Sequence, residues 1–290
     1  VQDGCRQFCS YCIVPIVRGP YYSRPSAEII DHINKVAGQG FEEVVLTGIN
    51  IGKYGVDLTG GYGLGSLLED ILSHTGIKRV RISSMEIGEV SHDLIELMAG
   101  IGNRICRHLH LPLQSGSNKV LRLMNRPYSC EYFLEKLTFI QEKIPNIAVT
   151  TDIMVGFPGE DDLDFEHTMA AVRQAGFAKL HVFKYSKRAN TKASFLKQQV
   201  DEGTKKYRSR LASGLGRKLR AQYIEKQLGQ TLEVVLEKCF PHYVCGMSEN
   251  YIQVFFELKR EAFKGKIYRV TGEKMHRNGI WGTIDSNLGL

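Results

Sequence analysis

A repeated alternation constrains this chain before anything else does. Five times between residues 26 and 185, a stretch with helical hydrophobic spacing gives way to a short β-branched run. Pro25 and Ser26 open the first helical pattern, carried by Ile29, Ile30, Ile33, Val36 and Ala37 and stopped at Gly38 and Gly40; EEVVLTG follows at once. Residues 67–74 then read as helix before an extended 79–83, a Ser91-capped helix through Met98 precedes 108–111, 130–143 precedes 147–155, and 162–174 precedes 178–185. Strands alternating with helices give parallel βα units. About six of them, counting the opening residues as the first strand, give an α/β fold: a partial (βα)6 TIM-like barrel, with its chemistry at the C-terminal ends of the strands.

The opening stretch, VQDGCRQFCSYCIVPIVRG, falls at such an end. Cys5, Cys9 and Cys12 put three soft thiolates on one short loop, spaced to wrap one face of a metal cluster. Three is one short of a tetrahedral zinc site or a fully ligated cubane, so an iron-sulfur cluster here keeps one iron open to another ligand. On spacing alone two other classes stay open. A zinc-stabilised RNA-binding module without catalysis needs a fourth ligand, and the nearest histidine, His32, falls on a predicted helix. A ferredoxin-like electron carrier wants four cysteines and no elaborate barrel. Of the other cysteines, Cys106 and Cys130 lie within strand or helix patterns and read as small buried hydrophobes, while Cys239 and Cys245 flank FPHYV in an extended segment and could be neighbours. Seven cysteines, an odd number with three clustered, fit a reducing compartment, so a cytoplasmic location is expected. No apolar run approaches about 18 residues and no signal-like segment opens the chain, so no membrane partner is expected.

Small and polar residues gather where the other predicted strands end. Thr47, Gly48, Ile49 and Asn50 end the second, Ser83, Ser84 and Glu86 the third, and LPLQSGSNK, with Gln114, Ser115, Ser117 and Asn118, continues the fourth. The fifth ends in VGFPGEDD and the sixth in FKYSKR. Glycine there lets backbone approach a ligand, and hydroxyls and amides bind its polar groups. Each loop by itself reads equally as a turn or a helix cap; five on one rim, facing three thiolates, read as a ligand site.

The formal charge of +7 is unevenly placed, because residues 197–228 hold nine basic and three acidic side chains and so carry +6 of it. This proline-free segment reads as helix. Its cations are either a solvated helical face or a surface that tracks nucleic-acid phosphates, with Lys205, Lys206, Arg208, Arg210, Arg217, Lys218 and Arg220 as candidates. From Gly229 the pattern changes to short extended runs, TLEVVLE, YVCGM, YIQVFFE, KIYRVTGEK and GIWGTI, which predict a small antiparallel β-barrel. Lys264, Lys266, Arg269, Lys274 and Arg277 interleave with Tyr268 and Trp281 there. The two aromatics read either as base-stacking platforms or as core. The expected division is 1–196, 197–228 and 229–290.

These residues carry a resemblance. CRQFCSYC matches the CxxxCxxC loop of the radical S-adenosylmethionine enzymes, including the aromatic Tyr11 before the last cysteine. VVLTGINIGKYG, HLHLPLQSGSNKVLRLMNRPY, TTDIMVGFPGE and HVFKYSKRANTKA resemble successive signatures of the tRNA methylthiotransferases, over essentially the whole chain. QDGCRQFCSYCIVP and LTGINIGKYG look most like the bacterial branch that acts on N6-threonylcarbamoyladenosine, with the isopentenyladenosine branch as the alternative. Ile87 stands where the family often has proline.

The resemblance implies the radical SAM fold, basic helices packed on it and a C-terminal barrel like the TRAM domain, which binds tRNA. It implies that Cys5, Cys9 and Cys12 hold a [4Fe-4S] cluster whose open iron takes S-adenosylmethionine, giving a 5′-deoxyadenosyl radical that abstracts hydrogen from C2 of adenosine 37 in the tRNA anticodon loop. Thr47, Gly48 and Asn50 would then lie near the methionine part, Gln114 and Ser115 near the ribose, and Tyr11 with the backbone of Val155 and Gly156 near the adenine, with Ser84 a further cofactor contact. Lys205, Lys206, Arg208, Arg217, Lys218, Arg269, Lys274 and Arg277 would bind tRNA. An electron donor such as flavodoxin or ferredoxin and a sulfur donor are the implied partners. The family's N-terminal domain, with three further cysteines and a second cluster, has no counterpart in this sequence, so the chain is expected to start the radical chemistry without completing sulfur insertion.

Overall fold

The computed structural model describes residues 1–258 and 262–285; positions 286–290 of the expected C-terminal unit lie outside the described residues. The first half builds the expected open barrel. Strands β1 (Gln2–Asp3), β3 (Glu43–Leu46), β4 (Arg79–Ile82), β5 (His108–His110), β6 (Ala148–Val155) and β7 (Lys179–Lys184) follow one another in chain order. β3 pairs parallel with β4, and β5 with β6 and β6 with β7; single parallel bridges, Gln2 to Gly48 and Val80 to Ile105, join these pieces. Among the described residues β7 does not pair with β1, so the barrel is open. A two-residue strand β2 (Tyr22–Ser23), which the sequence does not announce, closes a hairpin on β1 around the cysteine loop.

The helices are α1 (Val14–Val17), α2 (Ser26–Gly38), α3 (Leu64–His74), α4 (His92–Gly100), α5 (Asn118–Leu123), α6 (Cys130–Lys143), α7 (Asp162–Ala175) and α8 (Glu202–Glu225). Local sequence sets their ends. Ser129 caps α6 by accepting the Tyr132 amide, and Pro145 follows its last turn. α7 opens in a reciprocal capping box between Asp161 and Asp164. α3 begins three residues before the predicted start, because Gly65 and Ser66 dilute the apolar spacing within its first turn. Each helix turns one stripe onto the sheet. Cys130, Phe133, Leu137 and Ile140 of α6 are buried with Leu109, Val149, Ile153 and Val155 of the strands in one large cluster. Each such aliphatic or aromatic side chain contributes about 1.5–3 kcal/mol.

The basic segment forms one helix, α8, rather than several. Its buried stripe is Lys205, Arg208, Ala212, Gly216 and Ile224. Gly216 lets the helix lie on β7 so closely that a Cβ there would sit 3.1 Å from that of Leu180. Two of the expected tRNA contacts are therefore corrected. Arg208 is 4% exposed and donates to Glu160 Oε1 and Asp162 Oδ1, each at 2.7 Å, and Lys205 lays its stem over Gly156. Arg208 ties α8 to the barrel through its guanidinium and Lys205 through its stem, its ammonium pairing with Glu202 of the same helix, and both side chains are buried. Arg220 is likewise engaged, donating to the carbonyls of Ala178 and Tyr251. Lys206, Arg210, Arg217 and Lys218 are exposed.

Strands β8 (Thr231–Cys239), β9 (Val244–Ser248), β10 (Gln253–Phe256), β11 (Ile267–His276) and β12 (Gly279–Ile284) form the small closed barrel. It is antiparallel except where β10 meets β12 in parallel to close it. Ile224 of α8 belongs to its core, with Leu232, Val234, Phe256 and Ile280. Arg269, Lys274 and Arg277 are exposed, whereas Tyr268 and Trp281 are half-buried, Trp281 against Tyr243 and His276. Cys239 and Cys245 sit on adjacent strands, at neighbouring rungs of the β8–β9 ladder.

The two barrels meet at the N-terminal ends of the parallel strands. Arg79 donates to the Glu233 carbonyl at 2.6 Å and Arg81 to that of Ser248 at 2.8 Å, while Glu43 holds both guanidinium groups. Tyr251, with a left-handed φ of 63°, stacks its ring on His108 at 4.1 Å and so floors the open barrel.

Candidate active site

The cysteine loop is held from below by the chain that follows α5. Ser10 donates its amide to the Met124 carbonyl and its hydroxyl to that of Leu123, and Asn125 donates to the carbonyls of Gln7 and Phe8. At its start, Gly4 has a φ of 71°, and a Cβ there would sit 1.7 Å from the Pro20 carbonyl oxygen. The loop thus keeps its shape without using its thiols in a disulfide; all three cysteines are free.

Those thiols border a cleft over the strand ends, lined also by Tyr11, Asn50, Ser84 and Gln114. Four of the predicted cofactor residues are therefore brought to the cysteines. The other five do not line the cleft. Thr47 is exposed; Gly48 packs against Gln2. Ser115 is fully buried and its hydroxyl pairs with that of Thr168 at 3.1 Å. Val155 faces the helices in the main core, and the Gly156 amide is spent on Glu160. These three serve packing and capping.

Ile49, Glu86 and Pro112, all from the predicted strand ends, also line the cleft, as do Gln7 and Arg126, which sequence reasoning did not put there. Arg126 is buried; it donates to Cys9 Sγ at 3.4 Å, to Tyr128 Oη at 2.9 Å and to Glu86 in an ion pair. Nothing local announces this pair, because its two members are 40 positions apart and meet only in the fold. Burial pushes the Cys9 thiol up, against the pull of Arg126, and pushes Cys5 up as well. Losing those protons on binding a metal is eased at Cys9 by the adjacent guanidinium.

The residues fit an iron-sulfur cluster with a small polar ligand beside it. Among the described residues no three cysteine, histidine or acidic side chains converge on a single ion, and a cluster gives each thiolate its own iron. Asn50 carries a second sign of a ligand. Its Nδ2 donates to Glu89 at 2.9 Å, which fixes the amide orientation, and its Oδ1 is left buried without a partner.

An open parallel barrel with three free thiols on a loop over its strand ends defines a protein built to hold a cysteine-ligated cluster. The chain belongs to the radical SAM superfamily, whose sequence profile matches residues 1–172. That family works with a [4Fe-4S] cluster and S-adenosylmethionine. The chain is 37% identical over 276 residues to the threonylcarbamoyladenosine tRNA methylthiotransferase MtaB of Bacillus subtilis, covering 93% of this chain and 60% of that protein. It is 38% identical to the MtaB of Chlamydia pneumoniae, covering 98% and 66%. It is 41% identical over 237 residues to the tRNA-2-methylthio-N(6)-dimethylallyladenosine synthase of Pelotomaculum thermopropionicum, covering 82% and 53%. The chain therefore spans under two thirds of the length of these relatives. Among solved structures the fold resembles the radical S-adenosylmethionine methyltransferase TsrM from Kitasatospora setae, with a TM-score of 0.55 and 17% identity over 67% of this chain and 37% of that one. Among the described residues no helix is long and apolar enough to cross a membrane.

Proposed function

We propose that this chain is the catalytic barrel and RNA-binding part of a tRNA methylthiotransferase acting on N6-threonylcarbamoyladenosine at position 37. The observation that carries the reading is the cleft that joins three free thiols to Asn50, Ser84 and Gln114. The branch is supported by the two MtaB relatives, which match over 93% and 98% of the chain.

When bound, the cluster and S-adenosylmethionine supply a radical able to take the hydrogen from C2 of the adenine. The chain's own part is positioning. Cys5, Cys9 and Cys12 hold the cluster, and Arg126 lowers the cost of a thiolate at Cys9. With S-adenosylmethionine bound, the Asn50 carbonyl would accept an N–H from it, Ser84 and Gln114 would offer further polar contacts, and Tyr11, its ring 6.4 Å from that of Phe157, would cover an apolar side. The small barrel plays the part of a TRAM domain, and its Arg269, Lys274 and Arg277 join Lys206, Arg217 and Lys218 of α8 in attracting tRNA phosphates. An electron donor of the flavodoxin or ferredoxin kind and a sulfur donor complete the system, in a cytoplasmic setting.

Anaerobic reconstitution with iron and sulfide tests the reading. It should give a brown protein with visible absorbance from the cluster, and adding S-adenosylmethionine with a reductant should release 5′-deoxyadenosine; a colourless zinc-loaded protein would overturn the assignment. Nucleoside analysis of tRNA from cells lacking the gene sets the branch. Loss of the methylthio form of threonylcarbamoyladenosine supports it, and loss of the isopentenyl counterpart moves the protein to the other.

A further inference from the structure

The interior of the open barrel holds a polar cluster separate from the thiol cleft. The register sets its members. His110 lies opposite Thr150, Thr150 opposite Lys179, Asp152 opposite His181 and Met154 opposite Phe183. The intervening Leu109, Val149, Ile153, Leu180 and Val182 belong to the helix-covered core, so the first set faces inward. Phe183 is 51% exposed and Val45, inward on β3, 52%, so this interior is open to solvent above its floor. The floor is Tyr251, stacked on His108 and capped by Lys179 Nζ at 5.5 Å from its ring.

Within this space His110 Nε2 is 3.3 Å from Asp152 Oδ1, and His110 Nδ1 is 2.8 Å from the Thr150 hydroxyl. The ring of His181 meets that of His110 edge-on at 5.5 Å. Among the described residues His181 has no hydrogen-bond partner and Lys179 no carboxylate partner. A half-buried ammonium, an unpartnered imidazole and a carboxylate with one oxygen uncommitted leave donors and an acceptor that a polar ligand entering this space can engage in place of water. Arg79, Arg81 and Glu43, which also face inward, are spent on one another and on the small barrel. His110 stands two residues below Pro112 of the cleft, about 7 Å along the strand, so the cluster continues the proposed active site downward.

We propose that His110, Asp152 and His181, with Lys179 at the floor, form the specificity site for the N6 substituent of the target adenosine, selecting one with N–H donors and a carboxylate over an apolar one. The inference rests on the proposed tRNA-modifying function. Asp152 accepts from the ureido N–H groups, and His181 and Lys179 donate to the carboxylate. A dimethylallyl group would strip water from the same residues and give nothing back, and discrimination of that origin is large because buried polar groups are left unpaired.

The test uses the full-length enzyme with its clusters reconstituted, and anticodon stem-loop RNAs that differ only at position 37. The loops carry N6-threonylcarbamoyladenosine, its carboxamide analogue or N6-dimethylallyladenosine. The unaltered enzyme should bind the first at least about tenfold more tightly than the other two, the effect of one lost charged hydrogen bond. Asp152→Asn and His181→Phe should erase that ratio, and His181→Gln, which keeps a donor, should retain part of it. Cluster absorbance and thermal midpoint identify any variant that has failed to fold. A preference that persists in correctly folded His181→Phe and Asp152→Asn overturns the specificity site and leaves the proposed function standing. An unaltered enzyme that prefers the dimethylallyl loop, or none, overturns the substrate reading and this site with it.

Discussion

Arg126 stands between a thiol and a carboxylate that never meet, its Nη1 3.4 Å from Cys9 Sγ and its Nη2 paired with Glu86. The guanidinium is 3% exposed, so it is a fixed charge placed where a ligand thiolate forms. Removing it should cost more than removing the pair. Arg126→Met leaves the largely buried Glu86 carboxylate without its ion-pair partner, with an expected loss of about 3 kcal/mol, whereas the double change Glu86→Gln with Arg126→Met should recover most of it. Urea denaturation of the two variants, read by circular dichroism, checks the order.

His108 makes stability depend on pH. Burial first, and then the positive charge of Arg81, holds its pKa well below the ordinary 6.5. Folded chains keep it neutral while unfolded chains protonate it, so the unfolded state binds more protons below pH 6.5. Stability is therefore fully present above that pH and falls as the pH drops beneath it, with a slope approaching about 1.4 kcal/mol per unit for one proton. Denaturation midpoints between pH 7 and pH 5 should decline, and His108→Gln should flatten the decline.

The two kinds of cation on α8 should separate in experiment. Changing Lys206, Arg217 and Lys218 to Glu should leave unfolding midpoints within about 0.5 kcal/mol but weaken tRNA binding and lower its salt slope by roughly 0.9 for each phosphate no longer neutralised. Arg208→Ala should instead destabilise the fold by about 3 kcal/mol, because Glu160 then stays buried without its partner. Filter binding at several salt concentrations, beside thermal unfolding, tells the two apart.

Tyr251 should matter to stability out of proportion to its place in a loop. Tyr251→Ala removes the ring under which His108, Arg81 and Lys179 gather, with an expected cost of about 2 kcal/mol. Hydrogen exchange should then rise in β5 and β6 as well as in the small barrel.

How much of the fold was legible depended on the range of the forces involved. The βα order could be read because each helix and strand carries its own spacing: α6 runs over the predicted 130–143, and β6 starts one residue inside its predicted run. The thiol loop could be read for the same reason, since its three ligands lie within eight residues. Arg126 with Glu86 could not, because nothing near either residue says what it will face. Lys205 and Arg208 misled for a related reason. A count of charge along a helix does not say which side turns inward, and here Gly216 and Ala212 brought the cationic stripe onto β7 and Glu160. Tyr251 gave no sign at all, since its role exists only where two barrels touch.

The long helix has a mechanical meaning. Ala212 lies in the core of the large barrel and Ile224 in that of the small one, on a single helix with no break between them. Two bodies fastened to one rod cannot swing apart without unpacking one end of it. Whatever the small barrel grips is held at a set reach from the three thiols, and the helix acts as the gauge that decides which atom of a bound molecule comes within range.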